Sequence, residues 1–135
     1  MCSSDLGLGQ PGPYQIQAAI NAVHSAAAKA QETDWRQILA LYDQWMLVAP
    51  GAAVALNRTV ALAEVEGASS ALGVLETLSL SRYYLFHAIR ADLLRRLGRD
   101  EEAVRAYDEA ISLTGNEAER NFMRRRRDAL NGRRP

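Results

Sequence analysis

The sequence predicts an all-α protein, a solenoid of helical hairpins. Three observations carry that prediction. Apolar residues recur at helical spacing along nearly the whole 135-residue chain. The stretch Val54-Ala-Leu-Asn-Arg-Thr-Val-Ala-Leu-Ala-Glu-Val-Glu-Gly67 returns, with the same length and glycine stop, as Leu85-Phe-His-Ala-Ile-Arg-Ala-Asp-Leu-Leu-Arg-Arg-Leu-Gly98, and a second apolar helix follows each glycine. No segment shows the period-two alternation of a strand. A helix pair of this kind cannot bury its apolar face alone, so neighbouring pairs must stack. About three hairpins plus a terminal capping helix account for the chain. Such arrays bind partners and seldom catalyse.

Each element has its own local reason. Gly12-Pro13 opens the first helix, with proline at the tolerated first position. Residues 14–31 continue it through Ile16, Ala19, Ile20 and Val23. Thr33 is a capping residue for the next helix, which carries Trp35, Ile38, Leu39, Tyr42 and Trp45 and stops before Pro50. Trp35, Tyr42 and Trp45 are expected between helices. A third helix spans about 52–66, with Gly67 as its C-terminal stop. A short helix follows over 69–78, then one over 81–98. The sixth runs from Asp100 through Ala103, Tyr107, Ala110 and Ile111 to Gly115. Asn116 with Glu119 three residues on reads as a capping box for a last helix to about Leu130.

Hydrophobic residues make up 48% and charged residues 24% of the chain, the balance of a soluble globular domain. Formal net charge is zero, which speaks against bulk electrostatic binding to nucleic acid or anionic lipid. The positive charge is concentrated late: from Arg82 onward 13 arginines face 9 acidic residues, against 3 basic and 7 acidic before it. Cys2 is the lone cysteine, so no internal disulfide can form and a cytoplasmic setting is expected. No apolar run reaches the roughly 18 residues of a membrane span.

Met1-Cys-Ser-Ser-Asp-Leu6 reads as the translated end of a common sequencing adapter behind a GTG start codon. The chain therefore divides into an adapter scar over 1–6, a linker remnant over 7–13, the helical domain over 14–130 and a tail over 131–135. The natural protein is expected to continue upstream of Gly7. In such a fragment Ile16, Ile20 and Val23 should lose a covering helix and stand exposed.

Asp34-Trp-Arg-Gln-Ile-Leu-Ala-Leu-Tyr42 and Arg99-Asp-Glu-Glu-Ala-Val-Arg-Ala-Tyr107, with Ala110 and Ile111 following, resemble the second helix of a tetratricopeptide repeat, whose period is about 34 residues. The middle repeat is degenerate, its second helix reduced to Ala71, Leu72, Leu75 and Leu78. Gly12-Pro-Tyr-Gln-Ile-Gln-Ala-Ala-Ile-Asn-Ala-Val-His24, Thr33-Asp-Trp-Arg-Gln-Ile-Leu-Ala-Leu-Tyr-Asp43, Val54-Ala-Leu-Asn-Arg58 and His87-Ala-Ile-Arg-Ala-Asp-Leu-Leu-Arg-Arg-Leu-Gly98 occur in this order. Together they resemble the C-terminal tetratricopeptide-like extension of bacterial extracytoplasmic-function RNA polymerase sigma factors, over roughly residues 7–130. The sigma domains themselves have no counterpart here. The resemblance implies a cytoplasmic regulatory domain that contacts the parent's sigma domains or RNA polymerase, with no cofactor and no small-molecule substrate. The other reading is a free-standing tetratricopeptide adaptor for a peptide or protein.

In such an array the first helices of successive hairpins line a concave face. That register selects Ile20, Val23 and Ala27, then Val54, Asn57, Ala61 and Glu64, then Ala88, Asp92 and Arg95 as the partner-binding surface. Its lining is small and apolar at one end and charged at the other, suited to an apolar helix. Asn57→Arg and Ala61→Glu are expected to leave such a fold intact. His24 and His87 lie on different helices without ligand spacing, so no metal site is expected. His87 and Arg90 share a face and read as a structural polar pair between hairpins. Glu64, Glu66 or a backbone carbonyl is the expected partner of Arg90. No nucleophile elbow, phosphate-cradling loop or paired carboxylates point to an enzyme. Arg124 to Arg127 wrap all sides of a helix, so at least one must turn inward, and the rest read as a solvating cap rather than a nucleic-acid contact.

Overall fold

The computed structural model describes residues 13–26 and 33–133. Among them lie seven helices and no strand: α1 (Pro13–Ala26), α2 (Trp35–Val48), α3 (Ala52–Glu66), α4 (Ala68–Glu76), α5 (Tyr84–Arg96), α6 (Asp100–Leu113) and α7 (Glu117–Arg133). The all-α expectation holds. The chain forms two compact units that divide between Val65 and Glu66.

The first unit is built on a core of Ile16 and Ile20 from α1, Ile38 from α2 and Ala61 from α3. Trp35, Leu39, Tyr42 and Trp45 pack against it at α2's helical spacing, with the Tyr42 and Trp45 rings stacked 6.0 Å apart. Arg58 on α3 donates to the carboxylate of Asp43 on α2. The cap of α2 is Asp34, whose Oδ1 accepts from Gln37 N–H at 3.1 Å, and not the neighbouring Thr33. Both are good capping residues, and the aspartate has the three-residue reach to a free N–H. Ile16 and Ile20 are buried and Val23 is half-buried, which corrects the expectation that these three stand exposed.

In the second unit α4 packs on α5, α5 on α6 and α6 on α7. The α5–α6 crossing is lined by small residues. Ala88 and Ala91 on one helix and Ala103, Ala106 and Ala110 on the other are all buried. Small side chains let the helix axes approach closely, and Leu93, Leu94 and Tyr107 fill the flanks. Gly98 ends α5 with φ +77°. Its N–H donates to Arg95 O and the N–H of Arg99 to Leu94 O, both at about 3 Å, the paired bonds of a Schellman motif.

The last joint closes by a relay. Asn116 Oδ1 accepts from Glu119 N–H at 2.9 Å, as a capping box requires. The return bond runs through a third residue: Asn116 N–H donates to Thr114 Oγ1, whose hydroxyl donates to Glu119 Oε1 at 2.7 Å. Arg120 donates to the Thr114 carbonyl. The buried Thr114 hydroxyl thus holds both sides of the turn. Helix α7 extends to Arg133, past the expected end at Leu130.

Candidate functional site

The ten residues expected on a partner-binding face do not share one environment. Ile20 and Ala61 belong to the first unit's core, and Val54 is buried. Ala88 is buried in the second unit. These four present no surface to a partner, and the expected apolar lining is corrected accordingly. Periodicity gives the face of a helix on which a residue lies and not whether that face is buried. Ala61→Glu would put a carboxylate into the core, so the expectation that this variant folds is corrected too. Val23 is half-buried, and Ala27 lies outside the described residues. Asn57 and Glu64 are exposed, with Asn57 Nδ2 donating to the Ala53 carbonyl of its own helix at 2.9 Å.

His87 and Arg90 are each satisfied within the second unit. The His87 Nε2 lies 2.6 Å from the Ser81 carbonyl oxygen, and its ring meets Phe86 edge-on. Arg90 Nε donates to Glu76 Oε2 of α4 at 3.0 Å. Glu76, not Glu64 or Glu66, is therefore its carboxylate. The side chain of His24 lies outside what is described. Among the described residues no group of His, Cys, Asp and Glu is placed to hold a metal ion.

Asp92 and Arg95, also among the ten, are half-buried and paired with each other. The Asp92 carboxylate accepts from Arg95 Nη2 through Oδ1 and from Arg96 Nε, at 2.9 Å, through Oδ2. The two pairs are i,i+3 and i,i+4 on α5, so one carboxylate gathers two guanidinium groups. Arg95 also interacts with the hydroxyl of Tyr107 of α6, which is buried to 2% exposure. Burial pushes the Tyr107 phenol above its ordinary value, while Arg95, and less strongly Arg126 of α7, pull the other way. The hydrogen bond to Asp92 raises the Arg95 guanidinium further, keeping it charged. Arg95 Nε is buried and lacks a hydrogen-bond partner.

Arg96, Tyr107 and Arg126 were not among the residues expected on the partner-binding face. The signal for Tyr107 was present, as the repeat's aromatic position, but its polar end faces a neighbouring helix and cannot be read along one strand of sequence. Of the arginine run, Arg127 donates to the exposed Asp108 of α6 at 2.8 Å, and Arg126 lies over the exposed Phe122 ring. At the surface of α5, Asp92 thus pairs with both Arg95 and Arg96.

Comparison with known proteins gives one informative likeness. The chain is 44% identical over 123 residues to an uncharacterized protein of Rhizobium meliloti (strain 1021). The match takes in 90% of this chain and 29% of that protein, so the chain spans under a third of the relative's length. No protein-family model matches the chain, and no solved structure matches it.

Proposed function

We propose that this chain is the regulatory protein-interaction domain of a bacterial extracytoplasmic-function sigma factor. In this reading its helices form a tetratricopeptide-like array of about three hairpins and a capping helix, working in the cytoplasm. It modulates transcription initiation by touching the sigma domains of its parent or RNA polymerase. The observation that carries the reading is the match to 29% of a longer bacterial protein, together with the four motifs that occur in family order. A segment of that share is a module, and the remaining length is ample for the two sigma domains. Two helix pairs with small-residue or aromatic contacts, α1–α2 and α5–α6, support the hairpin element of the reading. No catalytic role is assigned in this reading.

The test uses the full-length Rhizobium meliloti protein. It is reconstituted with core RNA polymerase, with and without the segment matched by this chain, and assayed by run-off transcription on genomic fragments. Core-dependent transcripts whose yield changes at least severalfold on deletion are expected. A full-length protein that neither binds core polymerase nor directs a transcript sinks the reading.

A further inference from the structure

We propose that the exposed face of α7 centred on Phe122 binds single-stranded nucleic acid, with phosphates on Arg125 and Arg126 and an unpaired base on the ring. This surface goes beyond the regulatory reading and does not depend on it. Helix register defines the face. Met123 and Leu130 are buried and Arg127 reaches Asp108 of α6, so that side of α7 lies against the second unit. Ala118, Phe122, Arg125, Arg126 and Ala129 stand three or four residues apart and share another side. Arg126 is half-buried and the other four are exposed.

Two features say what covers this face. The first is unbalanced charge. The carboxylates of α7 are engaged elsewhere: Glu117 with Arg120, Glu119 with the Thr114 hydroxyl and Asp128 with Arg127. Among the described residues no carboxylate is ion-paired with Arg125 or Arg126. A guanidinium fork without a carboxylate matches the oxygens of a phosphodiester, two bonds at a time. The chain's net charge of zero excludes a broad electrostatic surface but does not neutralise a local one.

The second feature is the ring. The Arg126 guanidinium lies over Phe122, 5.2 Å from the ring centre. Phe122 nonetheless stays 42% exposed, leaving ring surface for a second flat group. An unpaired base is such a group, and aromatic rings set among cationic side chains hold single strands with little regard to sequence. Duplex bases are already stacked on one another and leave the ring unused. A lipid surface calls for a wide apolar face, whereas Phe122 stands between alanines. An acidic peptide satisfies the arginines but offers the ring no flat group.

The experiment follows the fluorescence anisotropy of a labelled oligothymidylate dodecamer titrated with the intact chain. Saturable binding is expected, weakening about tenfold between roughly 50 and 200 mM salt, as two or three single-strand phosphate contacts require. Phe122→Leu keeps the apolar bulk but loses the π face, and should weaken binding about tenfold. Phe122→Trp should hold or tighten it. Arg125→Gln should weaken it severalfold. Arg124→Gln removes the same charge from a different side of α7 and should leave binding unchanged. The competitors are unlabelled dodecamer, a duplex of equal length, a hexaglutamate peptide and phosphatidylglycerol vesicles, all at equal charge. Absent binding, unchanged affinity in Phe122→Leu or weakened binding in Phe122→Trp overturns the inference. A loss in Arg124→Gln as large as in Arg125→Gln also overturns it, in favour of diffuse charge. Displacement by duplex, peptide or vesicles as effective as by unlabelled dodecamer overturns it in favour of that class of partner.

Discussion

Gly98 allows a clean separation of backbone strain from steric clash. Its φ of +77° is a conformation that side-chain-bearing residues rarely adopt, yet a Cβ built there meets no heavy atom within 4 Å. Any loss on substitution by alanine must therefore come from the backbone. Left-handed geometry costs an L-residue roughly 1–2 kcal/mol, so Gly98→Ala should destabilise by about 1 kcal/mol. Gly98→Asn should lose less, because its side chain tolerates the region. Gly98→Val should lose more, since β-branched residues fit it worst. Gly73, inside α4, supplies the opposite sign: it has ordinary φ and equally open space. Gly73→Ala should stabilise by roughly 0.5–1 kcal/mol. Ser79 completes the set, a non-glycine residue held at φ 53°. Ser79→Gly should relieve strain and gain up to about 1 kcal/mol. Urea denaturation followed by circular dichroism reads all five variants as shifts in midpoint at constant slope. If Gly98→Ala matched or exceeded the parent in stability, the left-handed stop of α5 would be wrong.

Other expectations rest on different contacts. Ala91→Leu at the α5–α6 crossing should overpack a fully buried position and cost roughly 1–3 kcal/mol, visible as a lowered thermal midpoint. Thr114→Val keeps the shape but breaks the relay between Asn116 N–H and Glu119, and should cost about 1 kcal/mol or more in the same assay. The raised phenol of Tyr107 gives a pH signature. Because its folded value lies above the unfolded value near 10.0, its contribution is fully present below pH 10 and is lost as pH rises through the folded value. Tyr107→Phe should therefore flatten the fall in stability above pH 10, measured by denaturation midpoints across alkaline buffers. An equally steep fall in the variant would show that Tyr107 does not carry it.

The parts of the fold set by local chemistry were legible in the sequence. The span 52–66 for α3, the start of α6 at Asp100 and the Gly98 stop follow from periodicity, acidic first turns and glycine's conformational freedom, and all three appear in the structure. Helix α5 begins at Tyr84, three residues later than expected, because 77–83 turns through the left-handed Ser79 and His87 binds the Ser81 carbonyl. No helical period announces such a turn. The candidate surface was less legible for a related reason. Periodicity says that Ile20 and Ala61 lie on particular helix faces, but not that those faces meet each other in a core. Asp92 and Arg95 kept their surface because their charges cannot be buried cheaply. The interaction of Arg95 with Tyr107 joins two helices and lies beyond any one segment's pattern.

The alanine seam between α5 and α6 has a consequence for how this segment tolerates change. Alanine loses no rotamer freedom on burial, so the seam is ordered without the side-chain entropy that a leucine zipper must overcome. At Ala88, Ala91, Ala103, Ala106 and Ala110 nearly every larger replacement needs room that the crossing lacks. Glycine fits, but gives up about 1 kcal/mol of helix propensity at each site. Serine brings a hydroxyl that must bond back to its own helix. These five positions should be the most narrowly specified in the second unit under saturation mutagenesis. The same tight contact should make the central amides of α5 and α6 the last to exchange with solvent deuterium, so that this pair is the unit that opens latest.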